Sequence, residues 1–214
     1  MKQLRRLLVG VAALLALGAV VLAYLWLDLK RRDAVDRLAP IKQKVRTDFP
    51  EVPQLSVDAL AAMLERQDPE EPGAPLLLDV REPEEFVVSH LPGALRVDPR
   101  TADSQTGDSQ TEPLPEELTR ALDAAVATGR PIVAYCSVGY RSSRLAAALR
   151  ARGVEAVNLE GSIFEWAARG ESLVGPGGET TRVVHPYSPA WSWLVDEELR
   201  AYEPSTGTGA GSSK

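Results

Sequence analysis

Pro131-Ile132-Val133-Ala134-Tyr135-Cys136-Ser137-Val138-Gly139-Tyr140-Arg141-Ser142-Ser143 is the stretch on which the fold turns. It opens on a short continuous apolar run, the pattern of a strand buried on both faces in a parallel sheet. The run stops at Cys136. From Ser142 to Arg152, Leu145, Ala148 and Leu149 recur at helical spacing, and Gly153 closes the segment. The pattern predicts a strand, a short loop carrying the sole cysteine, and a helix.

The same alternation repeats on either side. Leu76-Leu77-Leu78-Asp79-Val80 is a second buried-strand run, and Pro83, Glu84 and Glu85 then suit a helical first turn. Leu91-Pro92-Gly93-Ala94 is turn chemistry, followed by a short strand at 95–97. Ser56 caps a helix carrying Val57, Leu60, Ala61 and Leu64, while Leu118, Leu122, Ala125 and Val126 line another that ends at Gly129. A strand at 154–159 and a short helix at 162–169 complete the series. Polar, Pro/Gly-rich or apolar-poor stretches at 68–75 and 98–115 read as loops. The predicted class is α/β, a mainly parallel sheet with helices on both faces. Ligands of such folds gather at the carboxyl ends of strands. Cys136 lies past one strand end, and Asp79 and Arg81 lie at another.

The loop after Tyr135 brings together what a thiolate needs. Gly139 lets the backbone turn sharply and approach a ligand. Loop amides converge into an anion-binding nest, and the helix opening near Arg141 points its positive end at the same place. Arg141 adds a fixed charge. A lone cysteine is most often an inert small hydrophobe, but these surroundings favour the ionised nucleophile.

This loop resembles the active-site loop of the rhodanese family. So do Leu78-Asp79-Val80-Arg81-Glu82 with Glu85-Phe86, His90-Leu91-Pro92-Gly93-Ala94, and Asn158-Leu159-Glu160-Gly161-Ser162 with Trp166 and Gly170, in the family's order across about residues 55–174. The resemblance implies a rhodanese fold. It implies that Cys136 accepts a sulfane sulfur from a thiosulfate-like donor as a persulfide and passes it to a thiol or cyanide. It puts Ser137, Val138, Gly139, Tyr140 and Arg141 around the substrate, with Arg81 as a further contact. Asp79, Ser142 and His90 are supporting residues, His90 as a hydrogen-bonder under a loop and not a base. Ser162 departs from the pattern, since many members carry a second glycine there.

Two rivals stand beside it. Cysteine phosphatases of the same fold resemble His-Cys-x5-Arg. Here the spacing is Cys-x4-Arg, Tyr135 stands where His would be, and the shorter loop suits a sulfur atom better than a phosphate. The other rival is a non-catalytic, membrane-tethered interaction module, against which the pair Cys136 and Arg141 speaks.

Composition narrows the partners. The chain has 214 residues, 44% hydrophobic and 25% charged. Its net charge of −6 divides into +7 over residues 1–47 and −13 over 48–214. An acidic domain is a poor match for nucleic acid. One cysteine and two widely spaced histidines argue against zinc, and no cofactor is expected. The expected partners are a small sulfur donor, a thiol acceptor and a membrane; no protein partner is identified.

The membrane expectation rests on Leu7 to Leu27, uninterrupted by charge and long enough as a helix to span hydrocarbon. Its end, Tyr24-Leu25-Trp26-Leu27-Asp28, offers no small-x-small cleavage site, so an uncleaved anchor is expected over a signal peptide. The expected organisation is an anchor at 1–29 and a stalk at 30–54 with Pro40, Pro50 and Pro53. A domain at 55–174, an aromatic extension at 175–204 and a flexible tail at 205–214 follow. A bacterial-type inner membrane is expected, and the basic residues after the span lean the domain towards the cytoplasm. The extension, with Tyr187, Trp191 and Trp193, is expected either to pack on the domain near the pocket rim or to serve as a partner-docking segment.

Overall fold

The computed structural model describes residues 2–66, 73–103 and 113–204, with the backbone alone for 2–11. Residues 67–72 and 104–112 of the expected loop regions, and the 205–214 tail, lie outside the described residues.

The two apolar runs form the centre of the sheet. Strands β2 (Leu76–Asp79) and β4 (Ile132–Tyr135) are buried at every position and pair in parallel, Leu78 opposite Ala134. Around them lie β1 (Gln54–Leu55), β3 (Leu95–Arg96) and β5 (Ala156–Leu159), in the order β1-β5-β4-β2-β3, all parallel. Side chains alternate across a strand, so each run feeds two cores. Leu77, Val133, Tyr135 and Leu159 face one side; Leu76, Leu78, Ile132, Ala134 and Cys136 face the other.

Parallel neighbours need crossovers, and the helices supply them. α5 (Glu116–Thr128) and α6 (Tyr140–Ala151) cover the second core through Leu118, Leu122, Leu145 and Leu149. α2 (Val57–Leu64) and α7 (Ser162–Ala168) cover the first through Leu60, Ile163, Phe164 and Trp166. Two short helices, α3 (Pro83–Val88) and α4 (Arg100–Asp103), follow β2 and β3.

The amino-terminal segment differs from the expected stalk. One helix, α1 (Lys2–Asp48), runs through Pro40 without ending. A proline inside a helix costs about 3 kcal/mol. Here docking offsets it: Ala34, Leu38, Ile41 and Val45, spaced as one helical face, lie on the domain, and Leu38 is 1% exposed. Charge adds to the docking. Lys42 pairs with buried Glu165 at 2.7 Å, Arg46 with Glu160 at 2.6 Å, and Arg37 with Asp196. Arg37, Lys42 and Arg46 of the basic amino-terminal segment thus meet the acidic domain. Nearer the amino terminus, α1 is long and apolar enough to cross a membrane, and its side chains from residue 12 to 26 are exposed.

The carboxyl-terminal arm also joins the core. A hairpin of β6 (Leu173–Val174) and β7 (Thr180–Thr181) leads into it, and two 3-10 turns, Pro189–Leu194 and Glu197–Leu199, follow. Val184, Leu194 and Val195 are buried with Leu38 and Trp166.

Candidate active site

Cys136 is the first residue beyond β4, and Gly139 stands as the N-cap of α6. Gly139 has φ +104°, where glycine is favoured, and a Cβ there would lie 3.1 Å from Asn158 Nδ2. Only a bare backbone turns here, and it delivers the Gly139 amide to Cys136 Sγ at 3.2 Å. The first turn of α7 holds the loop from behind. The Ile163 and Phe164 amides donate to the Cys136 and Ser137 carbonyls, both at 3.2 Å. Ser162, the departure from glycine, adopts φ +52°. Its hydroxyl accepts from the Cys136 amide at 3.2 Å and donates to the Leu159 carbonyl at 3.0 Å. The side chain that strains this turn also fixes the backbone of the cysteine.

Beside the sulfur lies a buried charge network that centres on Glu85. Its carboxylate accepts from both Arg141 amino groups at 2.8 and 3.1 Å and from the Ser137 hydroxyl at 2.6 Å. Arg141 also donates to Ser137 Oγ at 2.8 Å. Burial disfavours the Glu85 carboxylate, but Arg141, Ser137 and Arg81 outweigh it and hold its pKa below the usual range. Burial likewise pushes the Cys136 thiol up. The Arg141 charge, the Ser142 hydroxyl and the Ser142 and Gly139 amides reverse that and bring it below an ordinary thiol. The Ser142 hydroxyl also donates to Asn158 Oδ1 at 2.6 Å.

Asp79 and Arg81 stand elsewhere. Both are fully buried, and Arg81 clasps Asp79 through contacts of 2.6 and 2.9 Å and donates to the Ser89 carbonyl at 2.6 Å. The expected substrate contact by Arg81 is therefore corrected. Its fork is spent on Asp79 and on the end of α3, away from the cavity. It ties the strand end to the helix that carries Glu85. His90 stacks on Phe86 with centroids 3.9 Å apart and its Nδ1 lies 3.1 Å from the Phe86 carbonyl. Tyr135 turns into the core, where its hydroxyl accepts from the Leu91 amide at 3.0 Å.

Cys136, itself 1% exposed, forms the floor of a cavity of about 520 Å³. Ser137, Val138, Tyr140 and Arg141 line it. The other walls come from α1 (Pro40, Ile41, Lys44), from α7 (Phe164) and from the arm (Tyr187, Trp191). Tyr187 lies over the Arg141 guanidinium, 5.0 Å to the ring centroid. Sequence reasoning missed Glu85 as a site residue, because an acid in a helical first turn reads as a dipole partner. It missed Pro40 and Ile41 because Pro40 reads as a break. The aromatic density of the arm was the available signal for Tyr187 and Trp191.

A family model described as a rhodanese-like domain matches residues 56–169. A protein of Allochromatium vinosum named sulfurtransferase is 32% identical over 104 residues, which is 48% of this chain and 81% of that one. The chain is also similar to solved structures, among them these two. A rhodanese-like domain protein from Staphylococcus aureus has a TM-score of 0.39 at 23% identity, covering 54% of this chain and 91% of that one. A protein of unknown function from Rhodopseudomonas palustris, described as a "possible tyrosine phosphatase", has 0.43 at 15% identity, covering 63% and 91%.

Proposed function

The chain belongs to the family of rhodanese-like domains, and from that premise we propose that it is a sulfurtransferase working through a persulfide on Cys136. The observation that carries this reading is the position of the sulfur: on the floor of a cavity, accepting from the Gly139 amide, with its pKa lowered by Arg141 and the Ser142 donors. That is the environment of a preformed nucleophile, which needs no general base.

The step balances without a cofactor. The Cys136 thiolate attacks the outer sulfur of a thiosulfate-like donor. The donor's S–S bond breaks, sulfite leaves with the electron pair, and Cys136 becomes a persulfide anion. A thiolate or cyanide then attacks the terminal sulfur, and Cys136 returns as thiolate. Gly139 and the other loop amides hold the charge wherever it rests on sulfur. Ser137 and Arg141, locked by Glu85, keep the loop in shape.

Residues 55–174 act as the catalytic domain, and α1 holds it at a membrane as a single-pass anchor. Lys30, Arg31 and Arg32, directly after the span, support a cytoplasmic domain. A Ser212→Cys tag in a Cys136→Ser background should then resist a membrane-impermeant maleimide in intact cells.

Incubation of the full chain with thiosulfate tests the chemistry. Mass spectrometry should find one extra sulfur atom on Cys136, removable by cyanide and missing in Cys136→Ser. A cysteine left unmodified by thiosulfate and by organic sulfane-sulfur donors alike, or turnover of an aryl phosphate in place of sulfur transfer, would overturn the reading.

A further inference from the structure

Thiosulfate is a small, wholly polar dianion, and the cavity above Cys136 is a poor match for it. A volume of about 520 Å³ is in the range that encloses a drug-sized molecule. The lining is almost wholly apolar: Pro40 and Ile41 from α1, Val138 and Phe164 from the domain, Tyr187 and Trp191 from the arm. Neither cation at the cavity is free. Arg141 is bound by Glu85, and Lys44 at the rim holds Asp48 at 2.7 Å. A dianion filling this space would lose water and gain no unpaired charge in return.

The wall is also built at a cost, which argues for a purpose. Tyr187 has φ +65°, an outlier for a bulky side chain. The strained turn is held by its amide donating to His185 Nδ1 at 3.1 Å, and it sets the ring over Arg141. The helix wall exists only because α1 continues through Pro40. Both walls come from outside the matched residues 56–169.

Resting on the sulfurtransferase reading, we infer that α1 and the carboxyl-terminal arm make this site selective for an organic sulfane-sulfur carrier. Such a carrier has one anionic sulfur end and an aromatic or bulky apolar body. Ile41, Tyr187 and Trp191 are the specificity-determining residues. The sulfur end meets Cys136 and the Gly139 amide, and the body lies between the two walls. With a thiosulfonate, the Cys136 thiolate attacks the outer sulfur, the S–S bond breaks, and a sulfinate leaves with the electron pair. Charge and atoms balance as they do for thiosulfate.

The test uses the full chain in lipid nanodiscs, since detergent would compete for an apolar cavity. Sodium benzenethiosulfonate, sodium methanethiosulfonate and thiosulfate are compared by kcat/KM for sulfur transfer to cyanide, each normalised to its rate with free glutathione. The benzene donor should exceed the methane donor at least tenfold. In Trp191→Ala that ratio should fall at least fivefold. Trp191 is 39% exposed, so its loss does not empty the core. Ile41→Ala provides a second wall variant. Equal use of the two thiosulfonates by the wild-type chain, or variants that lower all donors alike, would overturn the inference while leaving sulfur transfer intact. Failure of every donor to load Cys136 would instead remove the sulfurtransferase reading itself.

Discussion

Burial alone would keep Cys136 protonated, and one charge, that of Arg141, leads the groups that favour the ionised cysteine. Arg141→Ala should therefore raise the midpoint of iodoacetamide alkylation against pH, by less than loss of a bare cation would give because Glu85 already offsets the charge. Ser162 poses a finer balance. Its left-handed φ costs on the order of 1 kcal/mol, and its hydroxyl bond to the Cys136 amide returns about as much. Ser162→Gly relieves one and loses the other, so its stability should stay near that of the wild type. Ser162→Ala keeps the strain and loses the bond, so it should melt lower than Ser162→Gly, by ~1 kcal/mol. Equal melting of the two variants would refute that account. At this scale the sequence is a fair guide to Cys136 and its loop, since chemistry there follows from chain neighbours. It is a poor guide to Glu85, because the proximity of Glu85 to Arg141 is made by β2, α3 and β4 meeting in space.

Elements were legible in proportion to how local their causes are. β2 and β4 are unbroken apolar runs, a pattern only a doubly covered strand explains, and both form where that pattern lies. The far end of α1 was not legible. Its helicity past Pro40 depends on a docking face whose partner is over a hundred residues away. Leu38→Ala tests that dependence. Removing a fully buried leucine should cost about 2–5 kcal/mol, read as a lower melting temperature with faster proteolysis within 30–48. Arg81 belongs to the same scale, since it joins β2 to α3. Arg81→Met leaves the Asp79 carboxylate buried without its partner and should destabilise by about 3–5 kcal/mol in urea unfolding. A normal melting curve with only a raised KM would restore the substrate contact that the geometry assigns elsewhere.

Over the whole molecule, acidity acts through Glu85. Its pKa is depressed in the folded state, so the stability it lends is present in full above the unfolded value of about 4.3. That contribution is lost as pH falls through the lower folded value. The melting temperature should decline below about pH 4.3, and Glu85→Gln, already lacking the term, should decline less steeply over the same interval. Parallel decline of both proteins would place the acid sensitivity in other carboxylates. The charge map behaves similarly at this scale. The +7 and −13 halves are plain in the chain, but which carboxylates Arg37, Lys42 and Arg46 choose depends on the folded shape.

Pro40 sits thirteen residues beyond Leu27 on the same unbroken rod, so the cavity mouth stands about 20 Å along the axis from the end of the apolar span. On the proposal that α1 anchors the chain in a membrane, a mast of this kind would permit spinning and leaning but no free tumbling, and a bilayer that altered its lean would re-aim the opening relative to molecules at the lipid surface.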